Sequence, residues 1–259
     1  NEILAGDEHR TLYEAVKAVP EKFGITPGVD YPIIISFTSA DQDLSIQVHP
    51  TDDYAKTHEN TLYGKSESWY FIEPPSEGWI YADSLIEDKK EIKRSILNGD
   101  YESVVGKIIV SKDDVVYIPS GTLHALTRGS LVYEIQQSTD ITYRFFDYNR
   151  LDNDGKLRDL HLDDAIETLN TENRVKSSAF PKDTLVSEQP YTMVRKTLEN
   201  VYHNTTDVAV AITVSKGSMC VDGHSILAGM SILVLPDEAI NISQAAEEVV
   251  IATPKLYFK

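Results

Sequence analysis

The sequence predicts a mainly β protein assembled from antiparallel sandwiches or barrels. Three observations carry this. Short apolar or alternating runs recur along the chain, turn residues separate them at a spacing of about 8–12 residues, and helical periodicity is confined to brief stretches. Residues 8–19 place His9, Leu12, Tyr13, Ala15 and Val16 at helical spacing, ended by Pro20 and Gly24. From Tyr31 the pattern becomes β-like. Pro32 to Phe37 is a short apolar run, and Leu44 to His49 alternates strictly until Pro50 stops it. Further strands are expected at Ser68–Ile72, Gly78–Ala82, Gly106–Val110, Asp114–Ile118, Gly129–Gln136 and Thr142–Phe146. A helical insertion over 84–97, capped by Ser84 and stopped by Asn98-Gly99, interrupts them. A second helix, about Leu162–Leu169, carries Asp163 and Asp164 in its first turn, where acidic groups are favoured. The polar stretch 171–190, with Pro181 and Pro190, reads as a connector to a second β-rich block, 191–259. The two blocks echo each other weakly, Val115–Pro119 against Ile232–Pro236.

A chain of 259 residues and 29.0 kDa can bury a large core, in one extended domain or two smaller ones. Its 24 Lys+Arg against 41 Asp+Glu give a net charge of −17 and a pI near 4.7. Such a surface repels phosphate backbones and anionic lipid, which argues against nucleic-acid and membrane partners. No apolar run approaches the ~18–20 residues that span a bilayer, and Asn1-Glu2-Ile3-Leu4 has no leader-like character. The one cysteine, Cys220, leaves no intramolecular disulfide and fits a reducing cytoplasm. Following Met219 in an apolar patch, it is expected to be a buried, inert thiol. The start at Asn1 predicts a chain trimmed at its N-terminus.

Chemistry concentrates at Ser45-Ile46-Gln47-Val48-His49-Pro50. A period of two puts Ser45, Gln47 and His49 on one face and Ile46 and Val48 on the other. Hydroxyl, amide and imidazole together suit the lumen of a small barrel better than a packed core. Lys65, Glu67 and Trp69 share a side of the next strand, and the turn Pro119-Ser120-Gly121-Thr122-Leu123 delivers His124 to a strand start. Gln47, His49, Glu67 and His124 thus form a candidate N/O metal set, and two histidines plus a carboxylate with room for water is a familiar catalytic zinc arrangement.

The segment Pro119-x-Gly121-x-x-His124 after an apolar strand resembles a cupin signature. Alongside it stand Gln47-x-His49-Pro50, Gly64-Lys65-x-Glu67-x-Trp69-Tyr70, Glu134-x-Gln136-Gln137-x-x-Asp140-x-Thr142-Tyr143-Arg144 and Asp147-Tyr148-x-Arg150. Together these motifs resemble type I mannose-6-phosphate isomerases of the short bacterial form, from about residue 10 to the end. The resemblance implies two cupin-like barrels. Residues 1–170 would form a metal-binding catalytic domain with the helical insertion at about 84–97, 171–190 a connector, and 191–259 a metal-free second barrel. Family members begin earlier, with strands that complete the first barrel, so the resemblance implies that such strands are missing here. It also implies one Zn²⁺ per chain on Gln47, His49, Glu67 and His124, and a sugar-phosphate substrate. Arg144, Glu134 and Lys65 match catalytic positions; Ser45, Lys65, Asp140 and Arg144 match substrate-binding ones. Within that frame Arg144 would meet either charge near C1/C2 or the phosphate. Glu134 is the leading carboxyl for proton transfer, with Asp140 or a water on the metal as alternatives. A sugar-phosphate-binding cupin without turnover, or another metal-cupin enzyme, is the competing function.

Overall fold

Strand alternation decides which side chains line the interior. In the computed structural model, which describes residues 11–152 and 154–257, the chain divides into two units. One is Ile34–Phe180, and the other joins the segment ending at Ile33 to the chain from Pro181 onward. The sequence pattern groups everything before residue 170 together, whereas in the structure the early segment belongs with the late strands. Its described part begins with α1, Leu12–Ala18, held by a capping box between Thr11 and Glu14. His9, which the periodicity puts on this helix, lies outside the described residues. After α1 and a tight 3₁₀ turn at Pro20–Phe23, the Phe23 carbonyl accepts the Ala209 N–H at 2.9 Å. The Tyr31 hydroxyl then donates to the Ala209 carbonyl at 2.7 Å.

The unit Ile34–Phe180 carries β1 (Ile33–Ser39), β2 (Ile46–Val48), β3 (Glu67–Glu73), β4 (Trp79–Ser84), β5 (Val105–Ile109), β6 (Asp114–Ile118), β7 (His124–Ala125), β8 (Leu131–Gln137), β9 (Tyr143–Phe146) and β10 (Ser177–Ala179). They form two five-stranded sheets, ordered β1-β8-β3-β6-β10 and β5-β4-β7-β2-β9. Its helical pieces are the short turn α2 (Asp52–Tyr54), the insertion helix α3 (Lys89–Leu97) and α4 (Leu162–Thr168). Trp69, Phe71, Ile80, Ala82, Val116, Ile118 and Val132 pack together as one apolar cluster. In a second cluster Ile46, Val48, Tyr81, Leu123 and Phe145 pack against Ile92 and Ile96 of α3, Ala165 of α4 and Leu169 at its end. Ile46 and Val48 therefore leave the other face of β2, with Gln47, to the interior.

Two local expectations shift. The insertion helix starts at Lys89 with Asp88 as its cap, because Ser84 ends β4 and turns its hydroxyl to the Ile86 carbonyl. The stretch 171–190 is more than a connector, since Ser177–Ala179 pairs with β6 and Leu185–Ser187 is itself a strand.

The other unit runs from β11 (Leu185–Ser187) through β12 (Tyr191–Lys196), β13 (Asn200–His203), β14 (Val210–Lys216), β15 (Ser218–Val221), β16 (His224–Leu227), β17 (Ser231–Val234) and β18 (Ala239–Gln244) to β19 (Glu248–Pro254). Its sheets are ordered β11-β12-β19-β14-β17 and β13-β18-β15-β16. Val210, Ile212, Val214, Met219, Val221, Ile242, Val249 and Ile251 fill its interior. Each unit is a cupin-like barrel, and the fold is mainly β with a short helical insertion. Cys220 departs from expectation. Met219 and Val221 are buried, so alternation turns Cys220 to the opposite face, where it is only half-buried. Among the described residues no helix is long and apolar enough to cross a membrane.

Asn204 ties a corner of the second barrel. Fully buried, its Nδ2 donates to the carbonyls of Val208, Val234 and Leu235 at 2.9, 2.9 and 3.1 Å, and its Oδ1 accepts from the Thr206 N–H and hydroxyl. Asn204→Ala leaves several buried groups unpaired and is expected to cost about 2–4 kcal/mol. Urea denaturation reads this as a lower midpoint at unchanged slope; an unchanged midpoint would contradict it.

Candidate metal centre

The interior face of β2 meets its neighbours in antiparallel register. Gln47 stands opposite His124 on β7 and opposite Arg144 on β9, so all three side chains share a face. On the facing sheet Glu67 pairs with Gln136, and Trp69 with Glu134. His49 follows β2 directly. From there the chain makes an outward excursion through α2 and a π-helical turn, Ala55–Glu59, before returning at Gly64 to Lys65 and Glu67. The return is tight. A Cβ on Gly64 would lie 2.4 Å from the Pro50 carbonyl oxygen, and the Lys65 N–H donates to that same carbonyl at 2.9 Å. Gly121 does the equivalent work at the third ligand-bearing turn. It takes φ +80°, which glycine adopts without strain, and donates its N–H to the His49 carbonyl at 2.8 Å.

His49, Glu67 and His124 are all buried, each with a donor atom within 4.8 Å of the others. His49 Nδ1 lies 2.9 Å from the Ile141 carbonyl, and His124 Nδ1 lies 2.8 Å from the Thr122 carbonyl. A carbonyl only accepts, so each ring carries its proton on Nδ1 and presents the Nε2 lone pair inward. The two Nε2 atoms stand 3.6 Å and 3.3 Å from the Glu67 carboxylate oxygens. The side-chain amide of Gln47 lies 3.4 Å from His124 Nε2, and rotation about its last torsion puts Oε1 where Nε2 stands.

These residues fit a divalent cation. His49 Nε2 and Glu67 Oε1 are buried without a hydrogen-bond partner, Glu67 Oε2 meets the Lys65 ammonium at 3.1 Å, and two imidazole lone pairs face one carboxylate. Unpaired buried polar atoms of that kind are costly unless a cation joins them. Burial, helped by Lys65, holds the His49 imidazole well below its ordinary pKa, in the neutral form a metal requires. Burial alone would raise the Glu67 carboxyl, but the Lys65 charge opposes it, and the group stays well below the usual range. One carboxylate and two imidazoles with space for further ligands is the donor set of catalytic zinc sites.

Around this set stand the other candidates. Lys65, buried, reaches Glu67 Oε2 at 3.1 Å and Glu134 Oε1 at 3.8 Å. Burial opposes its charge, yet Glu67 and Glu134 together hold its pKa above the ordinary lysine value. Burial, with the Glu67 charge beside it, pushes the Glu134 carboxyl up to about 8. Arg144 is half-buried, and its Nη1 donates to the Asp159 carbonyl at 2.8 Å. Asp147, three residues along the chain, pairs with Arg150 and Arg158. His161 sits at the N-cap of α4 as a structural residue, accepting the Arg144 N–H. Ser45 is buried immediately before β2, whereas Asp140 stands exposed and reaches the site only through its field on Lys65. Sequence reasoning missed Thr38, whose hydroxyl donates to Glu134 Oε2 at 2.7 Å. Its signal was faint: Ser36 and Thr38 alternate with Phe37 in a run that reads as apolar.

No family model matches the chain. It is 43% identical over 166 residues to a protein of Bacillus subtilis (strain 168) named "Probable mannose-6-phosphate isomerase GmuF", covering 64% of this chain and 52% of that protein. The mannose-6-phosphate isomerase ManA of the same organism is 42% identical over 159 residues, covering 61% and 50%. The chain is related to the mannose-6-phosphate isomerases. It spans about half the length of the curated relatives it matches. The likeness extends to the fold: the crystal structure of the Bacillus subtilis mannose 6-phosphate isomerase superposes with a TM-score of 0.77 at 27% identity, over 95% of this chain and 82% of that one.

Gly64→Ala tests the close return that brings Glu67 to His49. The added methyl group displaces the Pro50–Asp52 backbone, at an expected cost of about 1–3 kcal/mol. Thermal unfolding should shift down accordingly, and an unchanged midpoint would show that the segments are not in close contact.

Proposed function

We propose that this chain is a zinc-dependent aldose–ketose isomerase that interconverts mannose 6-phosphate and fructose 6-phosphate. The observation that supports it best is the convergence of His49, Glu67 and His124 with the buried pair Lys65 and Glu134 at one interior face. The names of the relatives give the substrate. His49, Glu67, His124 and Gln47 would hold the metal, which when bound would act as a Lewis acid that polarises the oxygens on C1 and C2.

The reaction moves a proton between C1 and C2 through an enediol(ate), and the chain's own groups suit that task. Glu134, held at about 8, exchanges a proton near neutral pH, where general acid–base transfer is most effective. The Thr38 hydroxyl fixes the direction of its carboxyl. Lys65, positively charged between Glu67 and Glu134, stabilises negative charge on the sugar oxygens. Arg144 projects on the same face as Gln47 with a charge that does not titrate away, and it binds either the enediolate or the phosphate. Ser45 offers a hydroxyl to the sugar, and Asp140 acts through Lys65. The lone, half-buried Cys220 is compatible with a reducing cytoplasm.

A coupled assay for fructose 6-phosphate, with and without chelation, tests this reading. Turnover should disappear on chelation and return with zinc. His49→Ala should remove the bound metal by elemental analysis, whereas Arg144→Ala should keep the metal and lose about 10²–10³ in kcat. Bound zinc and bound mannose 6-phosphate without turnover would overturn the isomerase in favour of a sugar-phosphate-binding protein.

A further inference from the structure

The two segments that deliver His49 and Glu67 meet through a side chain to which the sequence motifs assign no role. Gln137 ends β8 and is buried. Its Oε1 accepts the Ser66 N–H at 2.7 Å and the Ser66 hydroxyl at 3.0 Å, and its Nε2 donates to Asp52 Oδ1 at 2.8 Å. The same Asp52 oxygen accepts the Gly64 N–H at 2.8 Å. Ser66 lies between Lys65 and Glu67, and Asp52 lies just past His49 and Pro50. One amide therefore bridges the chain leaving one metal-facing residue and the chain arriving at another.

The intervening excursion cannot set that spacing itself. Residues 56–60 are exposed, and their π-helical turn ends at Asn60 with φ 54°. The spacing has to be held at the base of the excursion, where Gln137 sits. The backbone of Gln137 reaches the site as well. Its N–H donates to the Ser66 carbonyl at 3.2 Å, and its carbonyl accepts the Thr139 N–H at 2.8 Å, just before the Ile141 carbonyl that orients His49. Ser120 and Gly121 extend the lacing to the third segment, donating to the Lys65 and His49 carbonyls at 2.9 and 2.8 Å.

We propose that Gln137 is a positioning residue for the metal centre, its amide holding Glu67 at coordinating distance from His49 through Ser66 and Asp52. The proposal rests on the metal-centre reading above. An amide suits the place because it accepts at one end and donates at the other without charge. A leucine would leave the Ser66 N–H without this acceptor and take from Asp52 Oδ1 one of its two donors, and a glutamate would set one carboxylate against another.

Zinc affinity of the full chain, measured by competition with a chromogenic chelator, tests this against three variants: Gln137→Leu, Gln137→Glu and Asp52→Asn. Gln137→Leu and Gln137→Glu should each weaken zinc binding about 10–100-fold, as loss of partners behind metal ligands does. Asp52→Asn should stay near the parent affinity, because the amide oxygen at position 52 still accepts from both the Gln137 amide and the Gly64 N–H. Parental zinc affinity in both Gln137 variants, or an Asp52→Asn variant as weak as they are, would overturn the positioning role while leaving the centre standing. A parent chain that takes up no zinc would overturn both.

Discussion

The buried carboxylate of Glu67 constrains everything around it. A negative charge with both oxygens shielded from water is sustained only by cationic or donor groups held close. Lys65 supplies one such group, and the inward lone pairs of His49 and His124 leave a place for another. Orienting those rings requires carbonyls at Ile141 and Thr122, and placing the strands requires the glycines at 64 and 121. The local backbone reads as a consequence of stabilising one charge. The same charge acts outward on Glu134, whose carboxyl it helps to hold in the range where protons exchange near neutrality.

The net charge of −17 belongs to the solvated outside. Screening confines surface fields to about 8 Å at physiological salt, while Lys65 is buried and Arg144 lies opposite Gln47 on the interior face. Arg150 and Arg158 flank the single carboxylate of Asp147 close to Arg144, and their charges press on its guanidinium after burial has already disfavoured its charge. The strongly acidic composition thus coexists with a local group of cations, Arg144 beside Arg150 and Arg158.

The two barrels share an order of strands and differ in what fills them. β6 lies beside β3, and β17 lies beside β14, which is the arrangement behind the echo between Val115–Pro119 and Ile232–Pro236. In the first barrel the interior is divided between an apolar part, with Trp69 edge-on to His124, and the polar face of Gln47, Glu67 and Glu134. In the second it is filled by valine, isoleucine and methionine, and the buried ion pair of Arg195 with Glu248 lies on the opposite face of its sheet, because Val194 and Val249 take the interior. A filled core stabilises, and an incompletely paired polar one is kept only where chemistry uses it.

Much of this was legible in the chain itself. Period-two alternation is a local property, so Leu44–His49 by itself assigned Gln47 and His49 to one face and Ile46 and Val48 to the other, and the turn before His124 was readable from its glycine. The donor types that converge on the centre followed from the same pattern. Tertiary structure alone decided the rest, because the contacts join residues far apart in sequence. The Ile141 carbonyl that sets the His49 tautomer is 92 positions away, and Thr38 meets Glu134 across 96. Gln137 reaches Asp52 across 85 positions, and Phe23 reaches the strands of the second barrel through Ala209. Asp140, in the same motif as Arg144, emerged exposed, and Cys220 turned away from the core its neighbours fill. Periodicity tells which way a side chain points within its strand; only the packing of strands determines what it meets there.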